Sequence, residues 1–334
     1  MRRDALELIR CPACRAERTL DLTVESENER EVREGSVTCR ACGVSRPIRE
    51  GIVDLMVDPP DFVRREAEGL ARFADTMRAD GWGPERVVNL PYEQSGYWYA
   101  QATSMNQVLA DERLGLQPGD RILDVGSNTC WASAMFAERG LRPIALDIAT
   151  HLMQGLATAE WWFDAKDVYF ERVLGLMFDP PLASDSLDHV WCCEVLHHNH
   201  RANLRRTMRE LFRVLRPGGR LIVVNETVRA LRSPRLNPGK EVAEYEGHEH
   251  AYLRRSYIRA ARDAGFDVEV VAPWIHPTFS EAYFGIGPQH SALEGFRSAA
   301  RHAVRRSPPA RRALLLWKNY VSGTALHMIG TKPG

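Results

Sequence analysis

Neither sign of charge is in excess: the 334 residues hold 44 lysines plus arginines and 44 aspartates plus glutamates. A balanced chain creates no global field that gathers nucleic acid or an acidic membrane surface, although a net sum says nothing about local patches. Long hydrophobic runs are also missing, so no segment offers the ~20 apolar residues that a membrane-spanning helix needs. The start, Met1-Arg2-Arg3-Asp4-Ala5-Leu6-Glu7, contains no apolar core of signal-peptide length. A disulfide-like set of cysteines is lacking too. There are seven, an odd number, placed as two CxxC pairs plus Cys130, Cys192 and Cys193. That usage fits a reducing compartment and metal binding, and the expected location is cytoplasmic. No internal repeat is present. What remains is an apolar content of 44%, enough for a packed core, in a length suited to one large domain plus a small one.

The chain divides by composition. Residues 1–57 hold four cysteines, short β-like runs and many charges. Val57-Asp58-Pro59-Pro60-Asp61 breaks regular structure, because successive prolines neither continue a helix nor donate to a sheet. Residues 58–120 read as a helical linker and acceptor-pocket cap. Phe62, Leu70, Phe73 and Met77 recur at roughly helical spacing, and a second helix over about 97–115 opens with Tyr97, Trp98 and Tyr99. From Arg121 to Gly334 strands and helices alternate, the pattern of a doubly wound α/β sheet with crossover helices. Strands are expected at 121–125, 143–147, 187–192, 221–225, 266–271 and 325–330. Helices are expected around 204–215, stopped by Pro217-Gly218-Gly219, and over 257–264, closed by Gly265. Residues 273–323 are too long for an ordinary connection and read as an insertion.

Cys11-Pro12-Ala13-Cys14 and Cys39-Arg40-Ala41-Cys42 are two knuckles with 24 residues between them. Two thiolates two residues apart grip one metal from a tight turn, and two such turns complete a tetrahedron. The expected ligands of a structural Zn2+ are therefore Cys11, Cys14, Cys39 and Cys42. Together with the run Arg46 to Met56, this segment resembles the small zinc-ribbon proteins that activate tRNA and release-factor methyltransferases. A closed four-cysteine site has no open coordination position, which assigns it to folding and docking.

Ile122-Leu123-Asp124-Val125-Gly126-Ser127-Asn128 is an apolar strand ending in an acid and a glycine, then a turn into a helix. At a switch point of a parallel sheet, such a turn floors a nucleotide pocket. Asp147 ends the next strand, where a carboxylate can take both hydroxyls of a ribose. On these residues, followed by Ser184 to Asp188, Glu194-Val195-Leu196-His197-His198 and Leu215-Arg216-Pro217-Gly218-Gly219, residues 95–270 resemble class I S-adenosylmethionine-dependent methyltransferases. The resemblance implies a seven-stranded Rossmann-like sheet and S-adenosyl-L-methionine as cofactor. It implies Asp124, Gly126 and Ser127 near the methionine part and Asp147 on the ribose. Ile148, Leu176 and Met177 are candidates for the adenine, since the family's frequent adenine-binding aspartate is missing here. The family's later glycines are replaced by Asn128 and Cys130.

Methyl transfer is an in-line displacement, so the protein chiefly aligns the acceptor, and a base takes a proton if the acceptor is a hydroxyl. His197, His250 and Glu194 are the expected catalytic groups. A helix-end surface position for His197 and His198, and a solvated loop for Glu246-Gly247-His248-Glu249-His250, fit the sequence equally well. Tyr97, Trp98 and Tyr99 either cap the acceptor pocket or pack on the core. The expected acceptor is a small molecule or glycan, methylated on oxygen. RNA methylation, using the ribbon and the arginines of 297–312, is the alternative, and a non-catalytic scaffold is a third. Glu25, Glu27, Glu29, Glu31 and Glu34 make the ribbon a poor grip for RNA, so nucleic acid is not the expected partner.

Overall fold

The computed structural model describes residues 1–92, 96–231, 251–271, 307–317, 321 and 325–334. Its frame is one mixed sheet of eleven strands. Seven of them lie in the segment after residue 120: β5 (Arg121–Val125), β6 (Arg142–Asp147), β7 (Glu171–Leu174), β8 (Leu187–Cys193), β9 (Leu215–Glu226), β12 (Asp267–Val271) and β13 (Leu326–Thr331). They lie in the order β7-β6-β5-β8-β9-β13-β12. All neighbours are parallel except β13, which runs antiparallel between β9 and β12. The chain leaves β5 toward β6 and β7, then crosses back to place β8 on the other side. The boundary between β5 and β8 is therefore the switch point at which open α/β sheets bind ligands.

Both faces are covered, and the strand sequences show why. Ile122 packs into one core with Trp131, Phe136, Met105 and Trp162, while its neighbour Leu123 packs into the other with Leu204, Met208, Leu211 and Tyr257. Alternate residues of an apolar strand face opposite sides, so each strand feeds both cores. The first core is built by α1 (Asp61–Ala79), α3 (Gly96–Ala110), α4 (Trp131–Glu138) and α5 (Ala159–Lys166). The second is built by α6 (Arg201–Val214) and α7 (Arg254–Ala264). Gly265 closes α7 in the left-handed conformation, as its position after the periodic residues requires.

Two sequence expectations are corrected. The strand β7 and the helix α5 carry no reading at the sequence level, since Glu171-Arg172-Val173-Leu174 is short and half charged. Pro217-Gly218-Gly219 does not separate helix from strand, because β9 begins at Leu215 directly after α6 and includes those residues. They persist in a strand because the chain end pairs with them: Gly218 donates to the Lys332 carbonyl at 2.8 Å and Lys332 donates to Gly219 at 2.9 Å.

The remaining four strands of the sheet belong to the N-terminal segment: β1 (Leu20–Glu27), β2 (Val32–Cys39), β3 (Ser45–Arg49) and β4 (Ile52–Asp54), an antiparallel meander. Its last strand pairs parallel with β7, Val53 opposite Val173, and the Leu55 amide continues the ladder to the Leu174 carbonyl at 2.9 Å. Backbone pairing satisfies the open edge that β7 would otherwise present. A second seam lies beside the first cysteine knuckle. There Ile9 bridges Leu182, Arg10 donates to the Pro181 carbonyl at 3.1 Å, and Ala183 donates to Leu8 at 2.8 Å.

Behind the β4–β7 seam sits a buried ion cluster. Glu31 of the ribbon and Arg172 of β7 are each 1% exposed and paired. Arg172 also meets Glu160 of α5 at 2.6 Å, and Arg33 bridges Glu31 and Glu160 at 2.9 and 2.6 Å. Gly51 makes room for the pair, since a Cβ there would lie 2.2 Å from the Glu31 carboxylate. A buried pair contributes little net stability against an apolar replacement, but losing one member strands the other charge. Arg172→Met should therefore lower unfolding free energy by about 3 kcal/mol, the lower end for a broken buried pair because Arg33 still faces Glu31. Urea titration checks it; a loss below about 1 kcal/mol would mean that the partners left to Glu31, Arg33 among them, satisfy it.

Candidate active site

A cavity of about 880 Å³ opens at the carboxyl ends of β5 to β8, across the switch point. Every residue assigned to the cofactor from sequence lines it: Asp124, Gly126, Ser127, Asp147, Ile148, Leu176 and Met177. The turn after β5 explains the two missing glycines. Asn128 and Cys130 adopt φ of 46° and 59°, the left-handed conformation that glycine would favour. Asparagine tolerates it well and cysteine less so. The backbone path is thus kept without the residue type. Gly126 itself is irreplaceable on steric grounds, because a Cβ would lie 2.4 Å from the Val195 side chain.

The two carboxylates play different parts. Asp124 is buried and accepts from both the amide and the hydroxyl of Ser133, at 3.1 and 2.7 Å, so it pins the start of α4 under the turn. Burial pushes its carboxyl up to about 7. Asp147 accepts from the amides of Asn128, Ile148 and Ala149 at 2.8, 2.7 and 3.0 Å, and burial raises it to about 6 despite those bonds. Two more wall groups stand ready for a polar ligand. The Thr129 hydroxyl and the Trp191 indole N–H are buried with no hydrogen-bond partner among the described residues. Buried polar atoms are rarely left so.

The acceptor side is assembled from distant pieces. His197 is 2.8 Å from Glu226 through Nδ1, and Glu226 is wholly buried and also accepts the amides of Leu196 and His197. In the tautomer that donates from Nδ1 to Glu226, the accepting nitrogen of His197 is Nε2. His198 repeats the arrangement with Glu66 of α1 at 2.6 Å, and the two imidazole rings lie 4.4 Å apart. Glu194, at φ 48°, accepts from Gln101 of α3 at 2.9 Å. Glu66, Gln101, Glu194, His197 and His198 line the same cavity, as do Phe62, Phe73, Tyr97 and Trp98 from α1 and α3. The side chain of Tyr99, the group Glu246 to His250 with His250, and Arg301, Arg305 and Arg306 lie outside the described residues.

Sequence reasoning missed Glu226 and Glu66. Glu66 left a trace, for it falls one turn from both Phe62 and Leu70 on the apolar stripe of α1, where a carboxylate is out of place. Glu226 follows the strand read at 221–225 and was legible only as a strand-end acid.

Residues 123–223 match the family model described as a methyltransferase domain, and residues 2–51 the model described as Trm112p-like protein. The chain joins a methyltransferase domain to a Trm112p-like domain. Malonyl-[acyl-carrier protein] O-methyltransferase of Serratia marcescens is 28% identical over 180 residues, 53% of this chain and 66% of that protein. Demethylmenaquinone methyltransferase of Corynebacterium glutamicum (strain R) is 32% identical over 112 residues, 34% of this chain and 44% of that protein. The chain thus spans about two thirds of the first of these relatives and less than half of the second. A solved complex of the Haloferax volcanii Trm112 methyltransferase activator with a methyltransferase is 19% identical, with a TM-score of 0.47, covering 83% of this chain and 100% of that one.

In the Trm112p-like domain the four cysteine sulfurs lie within 4.8 Å of one another, with Cys11 to Cys42 at 3.6 Å and Cys14 to Cys39 at 3.7 Å. Zinc–sulfur bonds of about 2.3 Å at tetrahedral angles require sulfurs about 3.8 Å apart. The donor set fits the ion. Metal analysis of reductively purified protein should find one zinc per chain. Sequence alone suggests that chelation loosens only the ribbon. Because Ile9 and Arg10 are zipped to residues 181–183, hydrogen exchange in that loop should rise together with the knuckle's. Unchanged exchange at 179–183 after metal loss would show that the loop stands without the ion.

Asp147 yields a pH prediction. Its carboxyl is raised, so the folded chain without ligand holds this proton up to about pH 6 and its ionised form is disfavoured below that. A ribose diol donates to the ionised form. Affinity for S-adenosylhomocysteine should then fall as pH drops through 6, by up to about tenfold per unit. Asp147→Asn should flatten that dependence and weaken binding by about 1.5–3 kcal/mol at pH 7.5. Calorimetry at pH 5 and 7.5 decides; equal affinity at both would remove Asp147 from the ribose.

Proposed function

We propose that this chain is an S-adenosylmethionine-dependent methyltransferase that methylates an oxygen of a small-molecule or sugar-like acceptor, with a structural zinc in its Trm112p-like domain. The observation that carries the reading is one cavity in which the β5 turn, Asp147 and the apolar Ile148–Leu176–Met177 wall face the buried His197–Glu226 pair and the half-buried His198–Glu66 pair. The cofactor, when bound, supplies an electrophilic methyl group on a sulfonium. Asp147 would take the ribose, and Ile148, Leu176 and Met177 the adenine. Asp124 would act indirectly, holding the turn against α4 through Ser133.

The acceptor wall does the rest. Phe62, Phe73, Trp98 and Tyr97 exclude water and offer aromatic surface to an apolar or ring-shaped acceptor. His197 takes the acceptor's proton at Nε2 while Glu226 holds its Nδ1 proton, so the imidazole is oriented and its charged form stabilised. A cavity of this volume suits a small ligand, and the names of the curated relatives, with malonyl-[acyl-carrier protein] and demethylmenaquinone, are in keeping with acceptors other than RNA.

Replacing His197 by glutamine should cut turnover about 10²–10⁴-fold while S-adenosylhomocysteine binding persists. The measurement is single-turnover methylation of acceptors identified by mass spectrometry of ligands retained on the purified protein. Full turnover in the variant would leave alignment alone, or the His198–Glu66 pair, to explain the reaction.

A further inference from the structure

A second cleft, lined by other residues than the first cavity, lies between α6 and α7, with a volume of about 910 Å³. Arg201 and Arg205 stand one turn apart on one wall. Arg255, Arg259 and Arg262 stand at the same helical spacing on the other. These arginines are exposed. Arg259 reaches Asp263 at 3.7 Å, whereas Arg201, Arg205, Arg255 and Arg262 have no carboxylate within salt-bridge distance among the described residues. The floor between the rows is apolar, formed by Leu204, Ile258 and Ala260. Nothing in the methyl-transfer reading uses this cleft.

Several arginines elsewhere are neutralised locally: Arg206 and Arg15 by Asp179, Arg213 by Glu210, Arg142 by Asp4. Four unpaired guanidinium groups in one concave site repel one another, and an anionic partner relieves that repulsion. The shape limits the partner. A flat anionic bilayer cannot reach the floor of a cleft. A nucleic-acid strand would match the arginine rows, but it would leave its bases against Leu204 and Ile258, with a single aromatic, Tyr252, to stack upon. An amphipathic helix with an apolar stripe flanked by aspartate or glutamate complements both parts at once: apolar side chains meet the floor, and carboxylates one turn apart meet the arginines of each wall. With α7 of 11 residues and α6 of 14, the walls are about 16–21 Å long at about 1.5 Å per residue, room for three to four turns.

We propose that the α6–α7 cleft is a docking site for an acidic amphipathic helix of a partner protein. The site borders the methyltransferase cavity, because Tyr252 at the cleft donates its hydroxyl to the carbonyl of Asn199, a residue of the cavity wall. A docked partner therefore sits beside the acceptor site. The proposal stands or falls independently of the methyl acceptor.

The test uses the full chain and a fluorescent 15-residue helical peptide with a leucine stripe bordered by glutamates, alongside a scrambled peptide of equal composition. Anisotropy should show binding of the patterned peptide at least tenfold tighter than of the scrambled one, weakening with salt. Arg205→Glu with Arg255→Glu should abolish that preference. Both side chains are exposed, and unchanged S-adenosylhomocysteine affinity and circular dichroism will show that the variant is folded. Arg139→Glu, an exposed arginine away from the cleft, should leave it intact. Equal binding of both peptides would overturn the proposal, as would tighter binding to single-stranded RNA lost in the same double variant. Peptide binding that appears only after Glu241, Glu244, Glu246 and Glu249 are changed to glutamine would assign the cleft to the chain's own acidic segment and equally overturn it.

Discussion

The parallel pairing of β4 with β7 is the constraint on which the rest depends. It turns a cysteine-rich meander and an α/β sheet into one hydrogen-bonded surface, and it does so at the edge strand whose loop supplies part of the cofactor wall. Val53 opposite Val173 and the Leu55–Leu174 bond fix the outer side of β7, and Leu176 and Met177 follow directly on that strand. The knuckle at Cys11 holds the other end of the same loop through Ile9, Arg10 and residues 181–183. The four-cysteine cluster is thus joined through backbone hydrogen bonds to the loop that carries Leu176 and Met177 of the cavity wall.

The seam is held by an unusual mixture of forces. Backbone ladders satisfy donors and acceptors that an open edge would leave to water. Beneath them, Glu31, Arg172, Arg33 and Glu160 are packed where isolated charges would be costly, and each exists there only because the others do. Such a cluster gives little net energy, but it penalises any other register of ribbon on sheet, since a shift by one residue would strand a buried charge.

On the opposite side of the cavity the site is closed by elements with no part in the nucleotide-binding pattern. Helix α1 brings Glu66 to His198, and α3 brings Gln101 to Glu194. The stretch read as a linker of residues 58–120 therefore contributes wall, partner carboxylate and aromatic surface together. The left-handed residues Asn128, Cys130 and Glu194 cluster around the pocket. Their strain is tolerated because dense hydrogen bonding fixes the turns that contain them.

Sequence alone determined the strand–helix alternation, the four-cysteine set, the β5 turn with Asp147, and His197 as a group at a strand end. Each of these is encoded in local spacing, because strand period, helix period and knuckle geometry all act within a few residues. Only the tertiary structure decided that β7 exists as a strand, that the ribbon joins the sheet there, and that Glu226 and Glu66 are the histidines' partners. It alone set the arginines of α6 against those of α7 in a chain whose charges sum to zero. These pairings span roughly thirty to more than a hundred residues of sequence. They arise from burial and edge satisfaction acting on the whole fold, and no local period records such a match.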